Sequence, residues 1–271
     1  MPSPIALILA RGLGTRMRRA DAGATLAADQ ARMADAGVKA MIPIGRPFLD
    51  YLLSGLADAG ITEVCLVIGP EHGAIREYYG GPAGPTRLRL AFAVQEKPLG
   101  TADAVASAAA IVGQCEFLVL NSDNYYPVDA YRALVALDGP GLVAFEQHAM
   151  MQDGNVPAER ISTLAVVRIG DGDNLIDVIE KPDAATLASL GGDVYLSMNC
   201  WRFDRFVLDA CGRVPLSPRG EHELPDAVRL AQRASGTRFR VIRMKAGVLD
   251  LSSRGDIAGV AAHLVGVDVR L

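Results

Sequence analysis

The alternation of short apolar runs with helical patterns in the first half of the chain most constrains its fold. Four of these runs have the length of buried strands and cover residues 5–9, 63–68, 88–94 and 117–120. Helical patterns separate them and cover residues 20–36, 47–60, 71–79 and 102–112. Because this rhythm is typical of a mostly parallel, doubly wound sheet, we expect an α/β fold with its ligand site beyond the carboxyl ends of the strands.

The second half is richer in strands. We expect strands at 142–145, 164–169, 175–179 and 194–203, and helices near 223–233 and 256–265. No repeat, low-complexity segment or linker interrupts the pattern. One domain is therefore expected over residues 1–271, with a smaller strand-rich lobe added to a nucleotide-sized half.

Charge and cysteine usage exclude several function classes. The net charge of −4 argues against a nucleic-acid partner, and no apolar run approaches the ~20 residues of a membrane span. The four cysteines have no metal-ligand spacing, and Cys65, Cys115 and Cys200 lie in apolar runs where we expect them to be buried. We expect a soluble, cytoplasmic protein that is either a monomer or a homo-oligomer.

A glycine turn rich in arginine follows the first strand, in the sequence ARGLGTRMRR at residues 10–19. Its two glycines let backbone N–H groups approach a ligand, and its four arginines supply positive charge. An ordinary turn with solvated arginines is the alternative, but the arginine density favours a polyphosphate. Met17 replaces the third glycine of a dinucleotide fingerprint, and Thr15-Arg16 replaces the Lys-Ser/Thr pair of a phosphate loop. A Rossmann oxidoreductase and a P-loop kinase are therefore disfavoured.

Two isolated aspartates, Asp123 and Asp250, follow short apolar strands. A carboxylate at such a position can hold Mg²⁺ together with substrate phosphates. Each could instead cap a turn or a helix. The two interpretations are even for Asp123, and position alone favours capping for Asp250.

Three further segments carry polar groups that suit a sugar nucleotide. In Glu180-Lys181-Pro182 the carboxylate could accept from sugar hydroxyls and the lysine could attract a phosphate, although a surface ion pair is the alternative. Lys39 is a lone charge in an apolar surround, where a solvated lysine is the alternative. Gln95 has the donor and the acceptor that read a base edge, and Gly100 would let the base lie against the backbone.

Taken in order, these motifs resemble those of the sugar-1-phosphate nucleotidylyltransferases. The resemblance covers most of the chain and rests on ARGLGTR, VKAMIPIGRPFLDYLL with LADAGI, QEKPLGTADAV, LNSDNYY, VIEKP and the late Asp250. It implies transfer of a nucleoside monophosphate from an NTP to a sugar 1-phosphate, release of pyrophosphate, and Mg²⁺ as cofactor. It also implies a Rossmann-like α/β/α sandwich with a mixed sheet, a nucleotide-binding half over about 1–125 and a sugar-binding lobe over about 126–271.

The resemblance also implies a role for individual residues. Charge on the reacting phosphates would be neutralised by the catalytic residues Arg16, Lys39 and Lys181. The nucleotide would be bound by Ala10, Gly12, Gly14, Thr15, Gln95, Gly100 and Thr101. The sugar would face Glu180, Asn199 and Ala165, and the metal would be held by Asp123 and Asp250.

The chain departs from the family pattern at four places. Arg11 replaces the first glycine of the loop, Val38 replaces the usual proline before Lys39, residues 20–36 form an extra helix-like segment, and Ala165 replaces a frequent glycine. The first and third departures motivate an alternative function, a catalytically weak homologue that binds a sugar nucleotide. Retention of every charged catalytic group favours the enzyme.

Overall fold

A mixed sheet of nine strands runs through residues 3–271, the part of the chain that the computed structural model describes. The strands of the chain are Ile5–Leu9 (β1), Glu63–Ile68 (β2), Arg89–Val94 (β3), Phe117–Asn121 (β4), Asn124–Tyr125 (β5), Gly141–Glu146 (β6), Ala165–Gly170 (β7), Asn174–Ile179 (β8), Tyr195–Phe203 (β9), Arg240–Met244 (β10) and Leu249–Asp250 (β11). The sheet order is β3-β2-β1-β4-β9-β6-β10-β8-β7, while β5 and β11 form a separate antiparallel pair.

Helices cover both faces of the sheet. They are Thr15–Arg18 (α1), Ala28–Ala36 (α2), Phe48–Asp58 (α3), Gly73–Gly80 (α4), Thr101–Ser107 (α5), Ala109–Val112 (α6), Val128–Ala136 (α7), Gln147–Gln152 (α8), Ala184–Ser189 (α9), Arg205–Cys211 (α10), Leu224–Ser235 (α11) and Asp256–His263 (α12). Short 3₁₀ turns lie at Lys39–Met41, Ala158–Thr163 and Asp171–Asp173.

Successive buried side chains of a strand pack on opposite faces of the sheet, as strand geometry requires. In β1, Ala6 and Ile8 pack on the face that α3, α4 and α7 cover, whereas Leu7 packs on the face that α5, α10 and α11 cover. This arrangement confirms the expected Rossmann-like α/β/α sandwich. A third apolar cluster joins α1, α2, α3 and α12 above the carboxyl ends of the strands.

The parallel part of the sheet coincides with the predicted strand–helix rhythm. Strands β3, β2, β1 and β4 run parallel, so their carboxyl ends meet at one edge. Strand β9 then enters antiparallel between β4 and β6, and the parallel order resumes only between β6 and β10. The expectation of a mostly parallel sheet thus holds for the first half, and the whole sheet is mixed.

Two predicted helices are shorter than expected. Residues 20–27 lie outside α2, because the Asp21 carboxylate accepts from the Gly23 N–H at 2.9 Å and offers the backbone a local alternative to the helix. The predicted helix over 102–112 divides at Ala108 into α5 and α6. The Ser107 hydroxyl donates to the Asp103 carbonyl at 2.8 Å, a contact that bends helices.

The cysteine expectation was wrong at one position. Cys65 and Cys200 are buried, and so is Cys211, but Cys115 is exposed before β4. All four thiols are free. Within residues 3–271, no helix is long and apolar enough to cross a membrane.

Candidate active site

A cavity of about 490 Å³ opens at the carboxyl ends of β1, β3 and β4. Its wall gathers eleven of the residues predicted for the site: Ala10, Gly12, Gly14, Thr15, Arg16, Lys39, Gln95, Gly100, Thr101, Asp123 and Asn199. The rest of the wall is formed by Leu9, Arg11, Leu13, Ala40, Pro98, Ala104, Asn121, Ser122, Glu221 and Ser252. Motifs that are far apart in the sequence therefore meet at one edge of the sheet, as the parallel topology predicts.

A larger concavity of about 670 Å³ lies along the hairpin of β7 and β8. Asp171 and Arg238 are the only charged residues in its wall, and none of the predicted site residues belongs to it. We place the site at the smaller cavity because charged and polar groups converge there.

The glycine turn owes its shape to Gly14. This residue adopts a left-handed conformation, with φ 59°, immediately before α1. A Cβ atom at Gly14 would lie 2.3 Å from the Gly37 carbonyl oxygen, so a side chain does not fit. At Gly12, by contrast, no atom lies within 4 Å of an added Cβ. Gly14 therefore shapes the turn, and Gly12 leaves it open to a ligand.

Arg11 is buried and is therefore not one of the solvated arginines of an ordinary turn. Its Nη2 donates to the Glu96 carbonyl at 3.2 Å and lies 3.4 Å from Glu71 Oε2. The side chain thus ties the end of β1 to the segments that follow β2 and β3. Its Nε and Nη1 are buried without a hydrogen-bond partner among the described residues.

At the same end of the cavity, the amide of Gln95 is held in one orientation. Its Nε2 donates to Asp103 Oδ2 at 2.7 Å and to the Gly100 carbonyl at 3.0 Å. Because both partners are acceptors, the amide oxygen is left for a ligand. Gly100 lines the cavity, but its missing side chain faces the backbone of His222, where a Cβ would lie 2.5 Å from the carbonyl oxygen. Its small size is thus explained by packing against this backbone.

Lys39 and Asp123 form an ion pair at the centre of the cavity. Nζ of Lys39 lies 2.8 Å from Oδ2 of Asp123, and about a fifth of each side chain is exposed. Burial opposes the charge of Lys39, but the carboxylate of Asp123 outweighs it, so the pKa of Lys39 is raised. Arg16 lines the same wall and adds a second positive charge.

Asp250 lies beside this pair and is 5% exposed. Its strand, β11, pairs with β5 so that Asp250 is opposite Asn124, the neighbour of Asp123. Burial raises the pKa of Asp250, and the negative charge of Asp123 raises it further. The two predicted metal ligands are therefore brought together. Asp250 is not a helix cap, because the N-cap of α12 is Gly255 and no side chain caps that helix.

The carboxylate of Asp250 is held by three donors. Its Oδ2 accepts from Ser252 Oγ at 2.8 Å and from Nη2 of Arg160, and its Oδ1 accepts from Asn124 Nδ2 at 3.1 Å. A carboxylate offers about four lone pairs. One lone pair on Oδ1 thus remains.

The carboxylate oxygens of Asp123 and Asp250 suit a hard cation that completes its coordination shell with oxygens of the substrate. No group of three or more His, Cys, Asp or Glu side chains able to hold a metal occurs within residues 3–271. Mg²⁺ commonly takes one or two carboxylates and fills its remaining positions with water and phosphate oxygens. Asp123 and the free lone pair of Asp250 fit that pattern.

Asn199 reaches the cavity from an irregular part of β9. Strand β9 pairs with β6 on both sides of this point, but the single residue Val143 of β6 faces the three residues 198–200 of β9. Asn199 adopts a left-handed conformation there, with φ 53°, which asparagine tolerates better than most residues. Bulges of this kind re-aim side chains, and here Asn199 lines the cavity.

Three residues predicted at the sugar end do not line this cavity. Glu180 and Lys181 are exposed at the end of β8, and Lys181 has a left-handed backbone, with φ 46°. The charges of Arg219 and Glu223 act on Glu180, so it lies near the loop that brings Glu221 to the cavity. Ala165 is buried in β7, where it pairs with Ser197.

Sequence reasoning missed Arg160, Asn121 and Asn124. Arg160 binds Asp250 across 90 positions of sequence, and nothing in its polar segment signals this contact. Asn124 follows Asp123 directly, and that adjacency was the available signal.

Comparison with known proteins agrees with this geometry. The profile of the family described as "Nucleotidyl transferase" matches residues 5–251 of this chain. The bifunctional protein GlmU of Methanococcus vannielii is 28% identical over 192 residues, which cover 70% of this chain and 42% of that protein. Glucose-1-phosphate thymidylyltransferase of Streptomyces antibioticus is 28% identical over 235 residues, which cover 83% of this chain and 56% of that protein. The chain thus spans about half the length of the curated relatives it matches.

A solved structure shows the same fold. UDP-glucose pyrophosphorylase complexed with UDP-glucose superimposes with a TM-score of 0.75 and is 16% identical. The match covers 97% of this chain and 99% of that one, so the whole architecture is shared.

Proposed function

The chain belongs to the nucleotidyl transferase family, and we propose that it transfers a nucleoside monophosphate from an NTP to a sugar 1-phosphate. The products would be an NDP-sugar and pyrophosphate. The convergence of Arg16, Lys39 and Asp123 on one cavity beside the glycine turn carries this proposal. It supplies positive charge and a metal-binding carboxylate where a triphosphate would lie.

The reaction needs charge neutralisation more than proton transfer. A phosphate oxygen of the sugar 1-phosphate attacks the α-phosphorus, a new P–O bond forms, and the bond to the β-phosphate oxygen breaks. The attacking phosphate has a second pKa near ~6, so it is already ionised at neutral pH and requires no general base. The obstacle is repulsion between two anions, which fixed cations offset.

We assign the triphosphate to the wall formed by Gly12, Gly14 and Thr15, with Arg16 and Lys39 as its cations. Ala10, Gln95, Gly100 and Thr101 would surround the base. The Thr101 hydroxyl accepts from the Leu224 N–H at 3.0 Å, and its own O–H would remain to donate to the nucleotide. This assignment places the nucleotide within residues 1–125, as the division of the chain into two halves predicts.

We assign the sugar phosphate to the side of the cavity at Asn199. Glu180 would accept from sugar hydroxyls and Lys181 would attract the phosphate, once the substrate bridges from the cavity to the end of β8. Ala165 would act through Ser197, its partner two residues before Asn199. These roles place the sugar within residues 126–271.

Mg²⁺ is the cofactor that this site suits. Asp123 and Asp250 would hold it, and when bound it would supply Lewis-acid charge to the phosphates. Lys39 contacts only Oδ2 of Asp123, so Oδ1 of the same carboxylate would remain for the cation. The four free thiols fit a reducing compartment, which supports the cytoplasm as the location.

A pyrophosphate-release assay with a panel of NTPs and sugar 1-phosphates tests the proposal. We expect turnover with at least one pair, dependence on a divalent cation, and loss of turnover in Asp123→Asn. Tight binding of an NDP-sugar without any turnover would instead support the catalytically weak binding protein.

A further inference from the structure

Five side chains form a continuous line of hydrogen bonds from the core of the sheet to Asp250. The indole Nε1 of Trp201 donates to Asn199 Oδ1 at 3.2 Å, and Asn199 Nδ2 donates to Asn121 Oδ1 at 3.3 Å. Asn121 Nδ2 then donates to Asn124 Oδ1 at 3.0 Å. Finally, Asn124 Nδ2 donates to Asp250 Oδ1 at 3.1 Å. We call these five residues the amide chain.

The two ends of the amide chain fix its direction. An indole N–H can only donate, so the atom of Asn199 that faces Trp201 has to be the amide oxygen. A carboxylate can only accept, so the atom of Asn124 that faces Asp250 has to be the amide nitrogen. Turning over any amide between the ends would break two hydrogen bonds at once. The amides therefore point the same way and polarise one another.

The last bond of the amide chain acts on the oxygen that a cation would use. Both lone pairs of Asp250 Oδ2 are taken by Arg160 and Ser252. Asn124 takes one lone pair of Oδ1 and leaves the other. Since Asn124 is 1% exposed, solvent does not compete for this hydrogen bond while the side chain is in place.

The middle of the amide chain is open to a ligand. Asn121 and Asn199 line the cavity, whereas Trp201 and Asn124 are buried. A molecule that binds at Asn199 therefore touches a group linked to Asp250 by three successive hydrogen bonds.

We propose that Asn124 is a positioning residue for Asp250, and that the amide chain couples ligand contact at Asn199 to divalent-cation binding at Asp250. The proposal rests on the proposed function in assigning a cation to Asp250. The amide chain itself stands on geometry alone.

The single tryptophan gives a direct readout of the amide chain. Trp201 contributes the one indole N–H resonance in a ¹H–¹⁵N spectrum of the full chain. We expect Asn124→Ala to shift this resonance, although Asn124 makes no hydrogen bond to Trp201. Asn155→Ala is the matched control, because Asn155 holds only the main chain of Asp250, with Nδ2 at 2.9 Å from its carbonyl oxygen. The control should leave the resonance in place.

Cation binding is measured separately, with Mn²⁺ as a spectroscopic probe and without turnover. Partners that orient metal ligands typically affect affinity by 10–100-fold, so we expect Asn124→Ala to weaken Mn²⁺ binding by about tenfold or more. Asn199→Ala should weaken it in the same direction by a smaller factor, since it breaks the amide chain three bonds away. If Asn124→Ala does not fold, Asn121→Ala interrupts the same chain from a half-buried position.

Two results would overturn the proposal. One is an unchanged indole resonance in both Asn124→Ala and Asn121→Ala. The other is wild-type Mn²⁺ affinity in those variants. A wild-type chain that binds no Mn²⁺ would contradict the metal assignment of the proposed function, and the indole resonance would still decide whether the amide chain transmits.

Discussion

Lys39 Nζ lies 2.8 Å from Asp123 Oδ2, although 84 positions of sequence separate the two residues. The pair joins the 3₁₀ turn after α2 to the end of β4. The proposed catalytic cation and the proposed metal-binding carboxylate therefore neutralise each other. This relationship changes what the sequence alone predicts about substitutions at the site.

Substitution of Lys39 by Met should lower turnover by about 10²–10³, as loss of other positioned electrostatic groups does. It should also lower the melting temperature, because Asp123 would then face Asp250 without a compensating charge. Pyrophosphate release and thermal melting measure the two effects. Lys245→Met is the control, since Lys245 is exposed and away from the cavity. Equal turnover in both variants would contradict the role of Lys39.

Relief of repulsion between the neighbouring carboxylates of Asp123 and Asp250, taken by itself, would leave the melting temperature of Asp123→Asn unchanged or raise it. The structure reverses the sign, because Asp123→Asn also removes the partner of the half-buried Lys39. We expect a lower melting temperature without ligand. A raised one would show that repulsion with Asp250 outweighs the ion pair.

Alanine substitutions of the two glycines of the turn should have different effects, one on the stability of the fold and the other on nucleotide binding. Gly14→Ala forces a side chain into a left-handed conformation and against the Gly37 carbonyl, so it should cost about 1–3 kcal/mol or more. A loss of that size lowers the melting temperature by several degrees in a chain of this length. Gly12→Ala meets no atom within 4 Å and should melt like the wild type, yet raise KM for the NTP. An unchanged KM would remove Gly12 from the nucleotide site.

Glu180→Gln should raise KM for the sugar 1-phosphate and leave KM for the NTP nearly unchanged. The side chain would lose strength as an acceptor for sugar hydroxyls, while the nucleotide would lie in the cavity, which Glu180 does not line. Initial-rate kinetics with each substrate varied in turn make the measurement. Asp193→Asn provides an exposed control in the same half of the chain. A matching rise in KM for the NTP would argue against the assignment.

Glu223 gives the stability of the loop before α11 a pH dependence. Two hydrogen bonds from Arg219, at 2.9 and 2.6 Å, hold the pKa of Glu223 below its usual range. The resulting stability is present above the unfolded-state pKa and is lost as pH falls through the lower folded-state pKa. Glu223→Gln should therefore lower the melting temperature at pH 7, by the equivalent of up to ~1 kcal/mol. Melting curves across pH should show the difference from wild type shrinking in acid, and a constant difference would exclude the ion pair as its cause.

The first half of the fold could be predicted from the sequence, because β1, β2 and β4 are largely buried on both faces. Strands β1 to β4 read as apolar runs with charged residues only near the start of β2 and β3, and the structure places their ends within one residue of the prediction. Helices α7 and α10 and strand β10 were missed, since tertiary packing decides such short, mixed segments more than local pattern does.

The candidate site likewise has one set of residues that the sequence predicts and another set that it does not. The glycine turn, Lys39, Gln95 and Asp123 follow from local motifs placed at the ends of parallel strands. The contacts of Arg160 and Asn124 with Asp250 join residues 90 and 126 positions apart, and no local pattern encodes them. The two extra residues of β9 opposite β6 could not be predicted from the sequence either, because the hydrophobic pattern of a strand does not indicate a change in register.

Because of these two extra residues, the position of the Asn199 side chain depends on the number of residues in β9 as well as on residue type. Deletion of one residue from 198–200 would turn every side chain on one side of the irregularity to the opposite face of the sheet. Trp201 and Phe203, or Tyr195 and Ser197, would then have to pack on the opposite face of the sheet, where the smaller Cys200 or Leu196 now lies. This position therefore tolerates a change of side chain better than the loss or gain of a single residue, so descendants of this chain that keep the fold are expected to differ here by an even number of residues or not at all.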